Sequence, residues 1–125
     1  MLNEISERDL HILQHMVRYC GEIEAAIEVF GNSEELFKSN PVYRNAVSMP
    51  IQQIGELAKH LSEPFIETYP EIPWKNVKGM REWFAHQYLN MNPHIIWCTA
   101  TADLPPLREF CEKVLSKVDP DHAVQ

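Results

Sequence analysis

Apolar residues near the start of the chain fall at Leu10, Leu13, Val17, Cys20, Ile23, Ile27 and Phe30. Steps of three and four put them in one stripe of an amphipathic helix. Ser6 and Asp9 have the spacing of a capping box, and Gly31 is a natural stop. A short second helix is expected from Ser33, ending by Asn40 because Pro41 restricts the residue before it. A third, from about Pro41 to Leu61, places Val42, Ala46, Val47, Pro50, Ile51, Ile54, Leu57, Ala58 and Leu61 on one side. Pro50 lies inside it, so a kink or break is expected near Ser48 and Met49. The following stretch, punctuated by Pro64, Pro70 and Pro73, has room for one or two further helical turns.

A fourth helix is predicted from about Pro73 through Trp74, Val77, Arg81, Phe84 and Tyr88. Asn92-Pro93 opens a fifth, and Pro105-Pro106 starts a last one striped by Leu107, Phe110, Cys111, Val114 and Leu115. No window alternates with period two. The pattern therefore predicts an all-α, antiparallel bundle of about five to six helices, one domain over residues 1–118 with a flexible tail over 119–125.

Composition narrows the functional classes. The chain has 125 residues, with 11 basic against 18 acidic, for a formal charge of −7. That balance suits a soluble protein and disfavours a generic nucleic-acid coat, which must neutralise many phosphates. RNA would have to be handled at a small local positive site. The stretch free of charge from Trp83 to Thr101 is broken by Asn90, Asn92, Pro93 and His94, so no membrane span is expected. The acidic N-terminus lacks a signal-peptide pattern. Three cysteines, Cys20, Cys98 and Cys111, show no C-x-x-C spacing and read as small core residues. A reduced, cytoplasmic protein is the expectation.

His11 and His15 are four apart, as metal-binding histidines on a helix often are, but no further ligand pair accompanies them and they read as a solvated face. His86 differs. It follows Arg81 by five residues and precedes Tyr88 by two. Arg81 and Tyr88 are nearly eclipsed on a helix, whereas His86 lies about 140° around the axis and about 7.5 Å along it from Arg81. A two-fold homodimer would close that divergence by setting Arg81 and His86 of both chains around one cleft. An imidazole that titrates near neutrality moves protons, and an arginine fork holds a phosphate without a metal. Together they meet the needs of attack by an RNA 2′-hydroxyl on its neighbouring phosphate. Lys75 and Lys78, spaced three apart ahead of Arg81, form a short basic ridge suited to a phosphate backbone. Glu56, inside an otherwise apolar stretch, is placed to orient a site residue or to cap a buried hydrogen bond. Trp74, Trp83 and Trp97 read as core or interface anchors.

The run R-E-W-F-A-H-Q-Y fits the signature R-x4-H-x-Y, and the chain resembles the HepT-like toxins of the HEPN domain family. The likeness extends over I-x-x-I-G-E-L-A-K-H-L (Ile51 to Leu61), P-E-I-P-W-x-x-V-x-G-M-R before the motif, and I-I-W leading into D-L-P-P-L after it. It implies a dimeric helical bundle acting as a metal-independent endoribonuclease with no cofactor, encoded beside a minimal nucleotidyltransferase antitoxin. Carried onto this chain, Arg81 would bind the scissile phosphate, His86 would act as acid or base, and Tyr88 would be adenylylated by the partner to silence cleavage. Many relatives have Asn after the arginine and Gly after the histidine. Here Glu82 places an acid beside the phosphate-binding residue, and Gln87 makes the approach bulkier. The competing reading is a non-catalytic helical module that binds the nucleotidyltransferase or a nucleotide.

Overall fold

In the computed structural model, residues 5–89 and 92–118 are described, and the expected tail over 119–125 lies outside them. Helix α1 spans Glu7–Phe30, and Ser6 caps it by accepting from the Asp9 backbone N–H at 3.0 Å. Asp9 does not return the contact expected of a capping box. Its buried carboxylate instead accepts from the Ser62 backbone N–H (3.0 Å) and hydroxyl (2.7 Å), fixing the start of α4, Glu63–Thr68, against α1. The stripe of α1 is also rotated slightly from the expected one. Ile12, Leu13, Met16, Cys20, Ile23 and Ala26 are buried, while Leu10, Val17, Ile27 and Phe30 pack at its edges.

Gly31 ends α1 with φ 112°, a left-handed backbone that glycine adopts without a side-chain penalty. The Tyr43 hydroxyl donates to its carbonyl at 2.8 Å. After α2, Glu34–Ser39, helix α3 runs Pro41–Ala58. Asn40 caps α3 by accepting from the Val42 and Tyr43 backbone N–H groups. The expected break at Pro50 is not there. Pro50 is itself buried, and its neighbours Val47, Ile51 and Ile54 are fully buried. That burial is worth more than the roughly 3 kcal/mol an interior proline costs. Val42, expected on the inner face, is 62% exposed, and Tyr43 takes the inward position.

The predicted Pro73–Tyr88 helix is interrupted at Gly79 into α5, Trp74–Lys78, and α6, Met80–Leu89. Helix α7, Pro93–Cys98, passes through a π-helical turn at Thr99–Asp103 into α8, Leu104–Val118. The last helix thus starts one residue ahead of Pro105 and Pro106, close to where it was expected, though the π turn joins it to α7. Neither proline can donate a backbone hydrogen bond, and the ladder shifts register ahead of them, with Leu104 N–H reaching Thr99 O. Thr99 and Thr101 hydroxyls donate to the Ile95 and Trp97 carbonyls on the same path.

Among the described residues there is no strand, and the all-α bundle stands. Its helices number eight rather than five or six, because the proline-rich stretch holds α4 and because Gly79 divides the motif segment. Helix α3 is central, packed on α1 along one side and on α5 and α6 along another, while α8 packs on α1. One aromatic cluster joins Phe30, Phe37, Tyr43 and Trp97; a second joins Phe65, Tyr69, Trp74 and Phe110. Trp74 and Trp97 thus serve packing, and Trp83 is half-buried beside Phe84. No helix among the described residues is long and apolar enough to cross a membrane.

Candidate active site

The position of Arg81 is set by a glycine on the opposite helix. A Cβ on Gly55 would lie 2.9 Å from the Arg81 backbone nitrogen, 3.1 Å from Met80 Cβ and 3.2 Å from the Val77 carbonyl oxygen. Only glycine lets α3 approach the α5–α6 junction this closely. One residue further along, Glu56 accepts from Arg81 Nη1 at 3.1 Å. The carboxylate that stood out inside an apolar stretch therefore orients the arginine fork. Arg81 keeps its side chain 57% exposed, with donors left for an anion.

Three more side chains converge on Glu56 and its surroundings. Lys59 Nζ lies 3.8 Å from the same Glu56 Oε1 and donates to Glu82 Oε2 at 2.7 Å. His60 Nε2 lies 3.7 Å from Glu56 Oε2. Arg8 Nη2 donates to His60 Nδ1 at 3.4 Å. The network ties α1, the end of α3 and α6 together around Arg81. The Lys59 hydrogen bond, chiefly, holds the Glu82 carboxyl below its ordinary range.

His86 is exposed, about 140° around α6 from Arg81, so one chain turns the two groups toward different directions. Tyr88 belongs to the α6 backbone, and its side chain lies outside the described residues, as does that of Gln87. Lys75 lines an open groove of about 800 Å³ between the α5–α6 junction and the π turn, together with Asn76, Met80, Trp83 and Leu104. Lys78 is half-buried. His11 and His15 pack edge to face at 5.9 Å between ring centroids, and no set of three metal-ligating side chains occurs among the described residues.

Lys59 is the residue that sequence reasoning did not mark. Its i,i+3 spacing from Glu56 is visible in the sequence, but its pairing with Glu82 spans 23 positions and exists only once α6 packs on α3.

The all-helical bundle thus carries on α6 an exposed arginine paired with Glu56 and an exposed histidine. The profile of the ribonuclease HepT-like family matches residues 8–114, and the chain belongs to that family. A protein of Caldanaerobacter subterraneus subsp. tengcongensis named "Putative RNase TTE0752" is 36% identical over 106 residues, 84% of this chain and 92% of the relative. "Putative RNase MJ1216" of Methanocaldococcus jannaschii is 32% identical over 85 residues, 68% of this chain and 70% of the relative. "Probable ribonuclease HepT" of Thermococcus cleftensis is 33% identical over 69 residues, covering 55% of this chain and 63% of the relative. No solved structure matches the chain significantly.

Proposed function

We propose that this protein is a metal-independent endoribonuclease, the toxin of a toxin–antitoxin pair, working in the cytoplasm as a two-fold homodimer. One observation carries the reading: Arg81, oriented by Glu56, and His86 both face solvent on the same helix. In the reaction an RNA 2′-oxygen attacks the adjacent phosphorus and the bond from phosphorus to the 5′-oxygen breaks. His86 removes the 2′-hydroxyl proton, and a second imidazole returns a proton to the leaving 5′-oxygen. The two histidines of a dimer supply both roles. Arg81 holds the non-bridging oxygens and the charge that grows on them. Lys75 and Lys78 guide the flanking backbone. The nucleotidyltransferase partner adenylylates Tyr88, bringing a phosphate and a purine to the cleft that Arg81 serves.

Purified, partner-free protein incubated with RNA tests the proposal. Cleavage should yield 2′,3′-cyclic phosphate ends and survive chelators. His86→Ala and Arg81→Ala should each lower it by about 100-fold or more, the usual scale of an acid–base or charge-stabilising group, while helicity stays unchanged. Products with 5′-phosphates, or cleavage abolished by chelation, would overturn the mechanism. Intact binding of the nucleotidyltransferase without any cleavage of RNA would favour the non-catalytic module instead.

A further inference from the structure

Glu82 stands where a negative charge works against the proposed chemistry, directly after the arginine that is to hold a phosphate. Glu56 adds a second carboxylate at 3.1 Å from the guanidinium. Arg81 alone cannot offset both. The cation that reaches both carboxylates is Lys59, whose ammonium sits 2.7 Å from Glu82 Oε2 and 3.8 Å from Glu56 Oε1, whereas Arg8 joins the network only through His60. With Lys59 present the charges of Arg81, Lys59, Glu56 and Glu82 cancel; without it the other three sum to a negative charge beside the fork that a phosphate must meet. The lysine is also held in place, since its side chain is only 33% exposed while that of Glu82 is 68% exposed.

We propose that Lys59 is a positioning residue of the phosphate site: it holds Glu82 back toward α3 and neutralises it, which keeps the fork of Arg81 available to an RNA phosphate. Lys59 acts through Glu82 and does not touch the RNA. The inference rests on the ribonuclease reading for its substrate but on the observed ion pairs for its logic. It also accounts for the tolerance of an acid at position 82. Glu82 and Lys59 function as a pair, and Glu82 without Lys59 is worse than both or neither.

The test is a double-mutant cycle in the full chain, using Lys59→Met, which keeps an unbranched apolar side chain of similar length, and Glu82→Gln. Two readouts are followed: the Kd for a 2′-O-methyl RNA oligonucleotide, which lacks the attacking hydroxyl, and kcat and KM on the corresponding RNA. Melting temperature checks that each variant folds. An uncompensated charge several ångströms from a phosphate near a protein surface corresponds to roughly a 3- to 30-fold weakening. Lys59→Met should show that loss in Kd and KM with kcat little changed. In the Glu82→Gln background the same substitution should cost less than about twofold, since the charge it screened is gone. An equal loss in both backgrounds would mean that Lys59 contacts RNA itself, and would overturn the proposal while leaving the ribonuclease reading intact. Conversely, a rescued Kd in a protein that never cuts RNA would sink the ribonuclease reading and leave the role of Lys59 standing. Failure of the wild type to bind the oligonucleotide would overturn both.

Discussion

Helix α3 belongs to two regions that are built on opposite terms. With α1, on which it packs, it builds the core to which Val47, Ile51 and Ile54 and the α1 residues Leu13 and Met16 belong, all fully buried. Burial is as complete where α1 meets α8: it pushes the Cys20 thiol up to about 12, and the Cys111 thiol upward as well, so both behave as inert packing groups. Toward α6 the same helix presents Gly55, Glu56 and Lys59, where charges meet at 2.7 to 3.8 Å in partial contact with water. There the carboxyl of Glu82 is shifted down, not up, because a cation reaches it before burial does. The difference separates what specifies the fold from what equips the site. The first region draws its energy from area removed from water, the second from geometry among exposed charges that contribute little to stability.

That division has consequences for substitution. Leu13→Ala should bring the largest loss of stability, about 2–5 kcal/mol, because the side chain is fully buried and its neighbours can only partly close the cavity. Denaturant unfolding measures the loss, and cleavage per folded molecule should stay within about twofold of wild type if the two regions are energetically separate. A fall in kcat comparable to the loss of stability would break the comparison.

How far the sequence told these regions apart follows from what each depends on. Burial follows periodicity, and so α1, α3 and α8 are legible from apolar spacing, even where the stripe of α1 is rotated by a residue. At Pro50 local propensity allowed a break that core packing does not permit, and α3 runs on unbroken. Pro105 and Pro106 placed the start of α8 to within a residue, while the π turn that leads into it had no signal in the spacing. Position 42 against 43 turned on an aromatic cluster that only the assembled fold contains. On the other side, Arg81 and His86 were legible as residue types at a spacing, and Glu56 as an anomaly within an apolar run. The partners were not. Neither Lys59 with Glu82 nor Asp9 with Ser62 follows any periodicity, because each pair joins elements brought together by tertiary packing.

Gly55→Ala would test the seam itself. A methyl group there meets the backbone of Arg81 and Val77, which cannot move aside as a flexible side chain would. Overpacking of this kind costs about 1–3 kcal/mol. Because the strain falls on Arg81, cleavage should drop as well, by more than the small stability change alone would produce. Gly55→Ala should thus be distinguished from Leu13→Ala by a lower kcat in the fully folded protein. Equal kcat values would place the Arg81 backbone under no control from α3.

The smallest expected effect concerns an ion pair remote from the motif. His94 Nδ1 lies 2.6 Å from Glu34 Oε2, joining α7 to α2, and Lys38 Nζ is 3.5 Å from the same oxygen. The hydrogen bond from His94, above all, lowers the Glu34 pKa from its ordinary 4.5. A carboxyl whose folded pKa is depressed contributes its stability in full above the unfolded value. That contribution fades as pH falls below about 4.5 and is gone once the folded-state pKa has been passed. Glu34→Gln should therefore be slightly less stable than wild type near neutrality, and the gap should close on acidification, as followed by denaturant midpoints over a pH series. The carboxylate is exposed, so the gap is small and should shrink with added salt. Glu34→Gln should also leave the Kd for the 2′-O-methyl RNA unchanged, whereas Glu82→Gln should tighten it. A response of RNA binding to Glu34→Gln would mean that charge acts on the site through the field of the whole molecule and not through the Lys59 pair.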